Sequence, residues 1–172
     1  GYSNAYVGGY AEQMLLAAPL LLEVPNGLAT EHAALTEPLA VGVHAVEKGA
    51  LKGDETPLVV GCGPVGLAVI AAQRLKGIRP IVAADFSPKR RELAVKMGAD
   101  IVIDPANEDP YAKLAPGKRA ALFECVGVPG LIQQIMENAP RDARIVVVGV
   151  CMEADTIEPM FGIVKELSLQ FV

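Results

Sequence analysis

Residues 56–85 read TPLVVGCGPVGLAVIAAQRLKGIRPIVAAD. Leu58, Val59 and Val60 form an apolar run without alternation, the pattern of a parallel strand covered on both faces. Gly61, Gly63 and Gly66 follow at once as G-x-G-x-x-G. Its glycines permit a tight turn, close approach of backbone to a pyrophosphate, and contact between helix and strand. Pro64 suits a first helical turn, where its missing N–H costs nothing. Val65, Val69, Ala72 and Leu75 then recur along one expected helical face. The helix N-terminus offers free N–H groups and the positive end of its dipole to a phosphate. Asp85 ends the next apolar run, 19 residues after Gly66. There a carboxylate can accept hydrogen bonds from both hydroxyls of an adenosine ribose. Together these residues predict a nicotinamide dinucleotide site. A different nucleotide, or a turn that serves only the fold, fits the same residues. Cys62, at a free position of the motif, reads as a small buried residue.

Outward from this unit, strand and helix patterns alternate. Further strands are expected at Ile81 to Asp85, Ile101 to Asp104, Ala120 to Cys125, Arg144 to Val150 and Glu166 to Val172. Helices are expected at Pro88 to Met97, closed by Gly98, and at Pro129 to Asn138 and Thr156 to Lys165. The proline-broken stretch Pro105 to Gly117 holds one or two helical turns at Tyr111 to Leu114. Upstream, Gly1 to Gly9 reads as a loop, and Tyr10 to Ala17 and Leu20 to Val24 as two short strands. No core of their own is visible in these first residues. Thr30 to Leu35 reads as a helical turn or two, and Glu37-Pro38 opens a helix over Leu39 to Lys48. Right-handed crossovers then predict an α/β fold, a doubly wound parallel six-stranded sheet in the order 3-2-1-4-5-6.

In such a sheet a ligand lies outside the carboxyl ends of the strands, where the order reverses. The candidates are therefore Gly61 to Gly66, Asp85, Phe86, Asp104, Cys125 to Gly127 and Gly149 to Cys151. Gly127 and Gly149 stand where a side chain would obstruct a ligand. They also read as ordinary turn glycines.

The 172-residue chain is long enough for one well-buried domain with an appendage and too short for two. Hydrophobic residues make up 52% and Trp is absent, so the core must be built from Val, Ile, Leu and Ala. The net charge is −5, and no basic run exceeds Lys89-Arg90-Arg91, which argues against nucleic acid as a partner. Cys62, Cys125 and Cys151 suit free thiols in a reducing cytoplasm and supply no C-x-x-C metal spacing. No apolar stretch approaches the roughly 20 residues of a membrane span, and no basic n-region precedes an apolar one. A soluble, cytoplasmic protein without a membrane partner is expected. The chain opens and closes in mid-pattern, at GYSNAYVGG and ELSLQFV, so a piece of a longer protein is expected.

Five stretches together resemble a known family: EPLAVGVHAV (37–46), LVVGCGPVGLAVIAAQRLKG (58–77), AADFSPKRRELAVKMGAD (83–100), FECVG (123–127) and VVVGV (146–150). They look like the Rossmann cofactor domain of the zinc-dependent medium-chain alcohol and polyol dehydrogenases. GGYAEQMLL (8–16) is similar to the last part of that family's GroES-like catalytic domain. The resemblance implies residues 1–36 as a remnant of that domain with the crossover, and residues 37–172 as the dinucleotide-binding domain. It implies that Gly61, Gly63, Pro64, Val65 and Gly66 hold the pyrophosphate, and that Asp85 binds the ribose with Arg90 nearby. Val126 and Gly127 would line the adenine and ribose side. Val148, Gly149 and Val150 would hold the nicotinamide carboxamide by their backbone. Gln170 to Val172 would add carboxamide contacts, and the strand Glu166 to Val172 would pair two copies as a homo-oligomer.

Glu37 matches the position of a zinc-shell residue in the complete enzyme. It equally reads as a carboxylate favoured at a helix N-terminus. His32 and His44 read as structural. The other zinc ligands of the family and its four-Cys lobe have no counterpart in this chain, so no zinc is expected here, no catalytic residue is assigned, and the isolated chain is expected to be inactive. Small alcohols or polyols would be the substrates of the complete enzyme, with zinc acting as Lewis acid on the alcohol. NAD is favoured over NADP because a 2′-phosphate would meet the charge of Asp85. Lys89, Arg90 and Arg91 argue the other way. A Rossmann-type methyltransferase, and a stand-alone nucleotide-binding or dimerisation module, are the rival readings.

Overall fold

The computed structural model describes residues 9, 12–53 and 55–172. The chain divides into two compact units, Gly1–Ala34 and Leu35–Val172.

In the first unit no described residue is buried. It contains single 3-10 turns at Ala18–Leu20 and Pro25–Gly27 and a one-turn helix, α1 (Thr30–Ala33). The two strands expected upstream do not form among its described residues. Tyr10 and Ala11 of the first one lie outside those residues. A strand persists only where its N–H and C=O groups find a ladder partner. Residues 12–24 have none, and Pro19 and Pro25 instead open the 3-10 turns.

The second unit begins with α2 (Thr36–Gly49), which carries Pro38 in its first turn. The sheet strands are β1 (Thr56–Val60), β2 (Val82–Ala84), β3 (Ile101–Ile103), β4 (Ala120–Glu124), β5 (Arg144–Val147) and β6 (Ser168–Phe171). All pair in parallel in the order β3-β2-β1-β4-β5-β6. The helices between them are α3 (Pro64–Leu75), α4 (Pro88–Met97), α5 (Leu131–Asn138) and α6 (Pro159–Lys165), and a 3-10 turn at Pro110–Lys113 follows β3.

Successive strand residues point to opposite faces. Val59, Ala83, Ala121, Phe123 and Val146 therefore share one core with residues of α2, α3 and α4. Leu58, Val82, Leu122, Ile145 and Val147 share the other with Leu114 and with Ile135 and Met136 of α5. Both faces of the central strands are covered, which is why they read as unbroken apolar runs.

The buried face of α3 differs from the expected one. It consists of Gly66, Ala68, Val69, Ile70, Ala72 and Gln73, whereas Leu75 is 85% exposed. At 100° per residue Leu75 sits roughly 80° round the helix from Val65, so it rotates off the stripe. Two helices start later than expected. Gly130 takes φ +80° ahead of α5, and Asp155 and Gln133 accept the N–H groups of Thr156 and Glu158 ahead of α6.

The amino end of the sheet is closed by ion pairs. Arg144, opening β5, reaches both carboxylate oxygens of Glu55 and donates to the carbonyls of Gly49 (2.8 Å) and Ala50 (3.3 Å) at the end of α2. Arg79 donates from Nε to Asp100 Oδ1 at 3.0 Å, while Asp100 Oδ2 accepts the Ile81 N–H at 2.9 Å. Among the described residues no helix is long and apolar enough to cross a membrane.

Candidate functional site

Past β1 the chain must turn sharply from strand to helix. Gly61 takes φ +92° and donates its N–H to Ala84 O (2.8 Å). Gly66 lies against this turn so closely that a Cβ on it would stand 1.9 Å from Gly61 O. Gly63 is different in kind: its φ is −70°, and a Cβ there would meet no protein atom within 4 Å. Packing within the protein explains the first and third glycines and leaves the second unexplained. Gly63 is also the N-cap of α3, with no side chain capping the helix. Helix geometry leaves the N–H groups of Val65 and Gly66 without intrahelical acceptors, at the positive end of the dipole. Pro64 at the first position supplies no N–H.

Asp85 follows β2 and is 8% exposed. Its Oδ2 accepts the N–H of Cys62 (2.8 Å) and its Oδ1 that of Ser87 (2.8 Å). The carboxylate thus joins the glycine turn to the start of α4. Arg90 Nη1 lies 3.8 Å from Asp85 Oδ2. Arg91 is committed elsewhere, donating to the carbonyls of Asp85 (2.8 Å) and Phe86 (2.7 Å) and pairing with Asp104 at 3.1 Å.

These groups border a cleft of about 710 Å³ outside the carboxyl ends of β1, β2 and β4. Gly61, Gly63, Pro64, Asp85 and Arg90 line one side of it, and Val126, Val128 and Leu131 give it an apolar wall. That is the place where the strand order reverses, since β1 pairs with both β2 and β4. A dinucleotide fits this chemistry: an uncapped helix end and a bare glycine for phosphates, a carboxylate for hydroxyls, and an apolar wall for a base.

The other expected residues divide into groups. Val65 is half-buried against the core. Gly127, Gly149 and Val150 line a second cavity of about 300 Å³. Val148 is buried, and its N–H and that of Gly149 are both donated to Glu124 O at 2.9 Å. Val172 donates to Val147 O at 3.0 Å beyond the edge strand β6. Gly127 and Gly149 make room for each other's turns: Cβ atoms there would stand 2.7 Å from the Val150 backbone and 2.3 Å from Gly127 N respectively.

Glu124, at the end of β4, was not singled out from the sequence. It is 1% exposed, and its Oε1 accepts the N–H groups of Val126 (2.7 Å) and Gly127 (2.8 Å). The available signal was a single charge closing an otherwise apolar strand.

Burial, with Asp85 nearby, pushes the Cys62 thiol up to about 12, and burial raises Cys125 as well, so neither is a ready nucleophile. Glu37, His32 and His44 are all exposed. Among the described residues no group of three or more His, Cys, Asp or Glu side chains could hold a metal ion. These residues therefore do not fit a zinc ion on their own.

A doubly wound parallel sheet with a glycine turn and an acid after its second strand defines a Rossmann-type dinucleotide-binding domain. Residues 64–172 match the family described as zinc-binding dehydrogenase, and the chain belongs to that family. It is 34% identical over 167 residues to (R,R)-butanediol dehydrogenase of Bacillus subtilis, covering 95% of this chain and 48% of the relative. Against sorbitol dehydrogenase of the same organism the identity is 30% over 148 residues, covering 83% and 42%. A solved zinc-binding dehydrogenase from Sinorhizobium meliloti, bound to NADP, superposes with a TM-score of 0.76 at 28% identity, covering 87% of this chain and 46% of that one. The chain spans about half the length of the curated relatives it matches.

Proposed function

We propose that this chain is the NAD(H)-binding part of a zinc-dependent alcohol or polyol dehydrogenase, and that the whole protein passes hydride between a secondary alcohol or polyol and NAD. The observation that carries this reading is Gly63, where a side chain would meet no protein atom within 4 Å, at the uncapped end of α3 and facing a cleft bordered by Asp85. The names of the butanediol and sorbitol relatives support the substrate class. The bound nicotinamide cofactor supplies the hydride chemistry; this chain binds and orients it.

In this reading Gly61, Gly63, Pro64, Val65 and Gly66 form the pyrophosphate turn, and Asp85 accepts the ribose hydroxyls with Arg90 beside it. Val126 and Gly127 flank the adenosine side, while Val148, Gly149, Val150 and Val172 frame the carboxamide side. Residues 37–172 are the dinucleotide-binding domain, and residues 1–36 belong with a catalytic domain. Glu37 serves the zinc shell of the complete enzyme, binding the metal directly or through its water, and the isolated chain lacks activity. The free thiols accord with a cytoplasmic location.

NAD is preferred over NADP. A 2′-phosphate would be repelled by Asp85, and Arg91, held by Asp104 and two carbonyls, is not free to compensate. Calorimetric titration of the chain with NADH and NADPH, beside Asp85→Ala, tests this. NADH is expected to bind more tightly and to weaken about tenfold in the variant, on the scale of a lost charge-assisted hydrogen bond. Tighter NADPH binding would reverse the cofactor assignment, and binding of S-adenosylmethionine alone would favour a methyltransferase.

The edge strand β6, paired only to β5 among the described residues, is the surface through which two copies associate. Sedimentation equilibrium finding only monomers would remove this part of the proposal.

A further inference from the structure

Strand β4 is apolar from Ala120 to Phe123 and ends on Glu124, which is buried as deeply as its neighbours. One side-chain oxygen accepts two N–H groups from the turn after β4, those of Val126 at 2.7 Å and Gly127 at 2.8 Å. The main-chain oxygen of the same residue accepts two from the turn after β5, those of Val148 and Gly149, each at 2.9 Å. The second side-chain oxygen lies where Gly149 has no side chain: a Cβ there would stand 2.7 Å from it. A Cβ on Gly127 would in turn stand 2.7 Å from the Val150 backbone. One residue thus bonds both turns, and the two glycines let the turns touch backbone to backbone.

The turn after β4 borders two cavities, and Gly127 meets the turn after β5 at the smaller one. Val126 lines the larger cleft, and Gly149 and Val150 line the smaller one. We propose that Glu124 is a positioning residue that ties the turns after β4 and β5 into one platform, holding the adenosine and nicotinamide halves of a dinucleotide in fixed relation. The consequence for the cofactor rests on the dinucleotide reading of the cleft. The coupling between the turns does not, because it belongs to the unliganded chain.

Amide hydrogen exchange on the unliganded chain tests the coupling in wild type, Glu124→Ala, Glu124→Asp and Glu124→Gln. Loss of the carboxylate frees the N–H groups of Val126 and Gly127, and their exchange quickens in any account. The platform further requires that Val148 and Gly149 quicken too, by about tenfold, although their acceptor is a main-chain oxygen that every variant keeps. Glu124→Gln retains an oxygen in place and restores slow exchange in both turns. Glu124→Asp withdraws the carboxylate by one methylene and gives the same pattern in a milder form, should the alanine variant not fold. Exchange at Val148 and Gly149 that stays at the wild-type rate in both Glu124→Ala and Glu124→Asp overturns the coupling.

The same proteins are then titrated with NADH and with ADP-ribose, which lacks the nicotinamide. The advantage of NADH over ADP-ribose is expected to shrink in Glu124→Asp and to return in Glu124→Gln. Equal weakening of both ligands would reduce Glu124 to a structural residue. Failure of wild type to bind either ligand would reject the dinucleotide reading, while the exchange data would still decide the coupling.

Discussion

At the amino end of the sheet Glu55 and Asp100 are each met by a guanidinium, from Arg144 and Arg79. At the carboxyl end Asp85 and Glu124 are met by main-chain N–H groups, the nearest cation being Arg90, 3.8 Å from Asp85. Both arrangements satisfy carboxylates, buried at Glu55, Asp85 and Glu124 and exposed at Asp100, but they leave different remainders. A guanidinium fork uses up the charge and closes the surface. Peptide N–H groups fix Asp85 in place on the wall of the cleft, with no guanidinium fork to occupy its remaining lone pairs. At the end that carries the cleft, main-chain N–H groups hold Asp85 and Glu124, whereas Asp104 after β3 is paired with Arg91.

The sharpest way to break this contrast is through the glycine turn at the carboxyl end. Gly66→Ala drives a methyl group to 1.9 Å from a carbonyl oxygen in a turn that cannot retreat, so at least about 3 kcal/mol of stability should be lost. Urea unfolding would show it, and a wild-type midpoint would mean that the turn can yield to a methyl group.

Arg144→Met comes next. It strands Glu55, whose side chain is 2% exposed, and should cost about 3 kcal/mol near neutral pH, with Glu55→Gln in the same chain recovering much of the loss. Its pH dependence separates the two ends further. Burial pushes the Glu55 carboxyl up, but the hydrogen bonds from Arg144 and the Lys52 N–H outweigh it and hold the group below its ordinary 4.5. A group lowered in the folded state stabilises above its unfolded value, and that contribution fades as the pH falls through the folded one. Wild type should therefore lose stability on acidification below about pH 4.5. In Arg144→Met burial acts unopposed by the guanidinium, so mild acid should narrow the gap between variant and wild type. A gap that widens from pH 7 to pH 5 would contradict the assignment.

The smallest effect on stability belongs to Gly63→Ala, at a backbone conformation that alanine adopts and with no atom within 4 Å of the new methyl. Unfolding should shift by no more than about 0.5 kcal/mol, while NADH affinity falls about tenfold because the methyl occupies the path of the pyrophosphate. Unchanged affinity would move the phosphates away from this turn.

The glycine turn, Asp85 and the alternation of strand and helix were legible because each depends on residues close together in the chain. The handedness of crossovers then converted that alternation into a strand order. Leu75 leaves the expected stripe because a four-residue helical pattern drifts round the helix over three turns. The strands expected before residue 25 required a partner that no local pattern can reveal. The role of Glu124 depends on a turn 24 residues further along, and that of Arg144 on Glu55, 89 residues away, separations that no local pattern spans.

By itself, then, the sequence determined the turn, the helix behind it, the acid after β2 and the order of the sheet, since near-neighbour sterics and apolar periodicity suffice for these. Only the tertiary structure decided which glycine is bare and which is packed, that Gly127 and Gly149 make room for each other, and that one buried carboxylate joins two turns. Those are contacts between distant segments, and their geometry exists only once the sheet has brought the strand ends side by side.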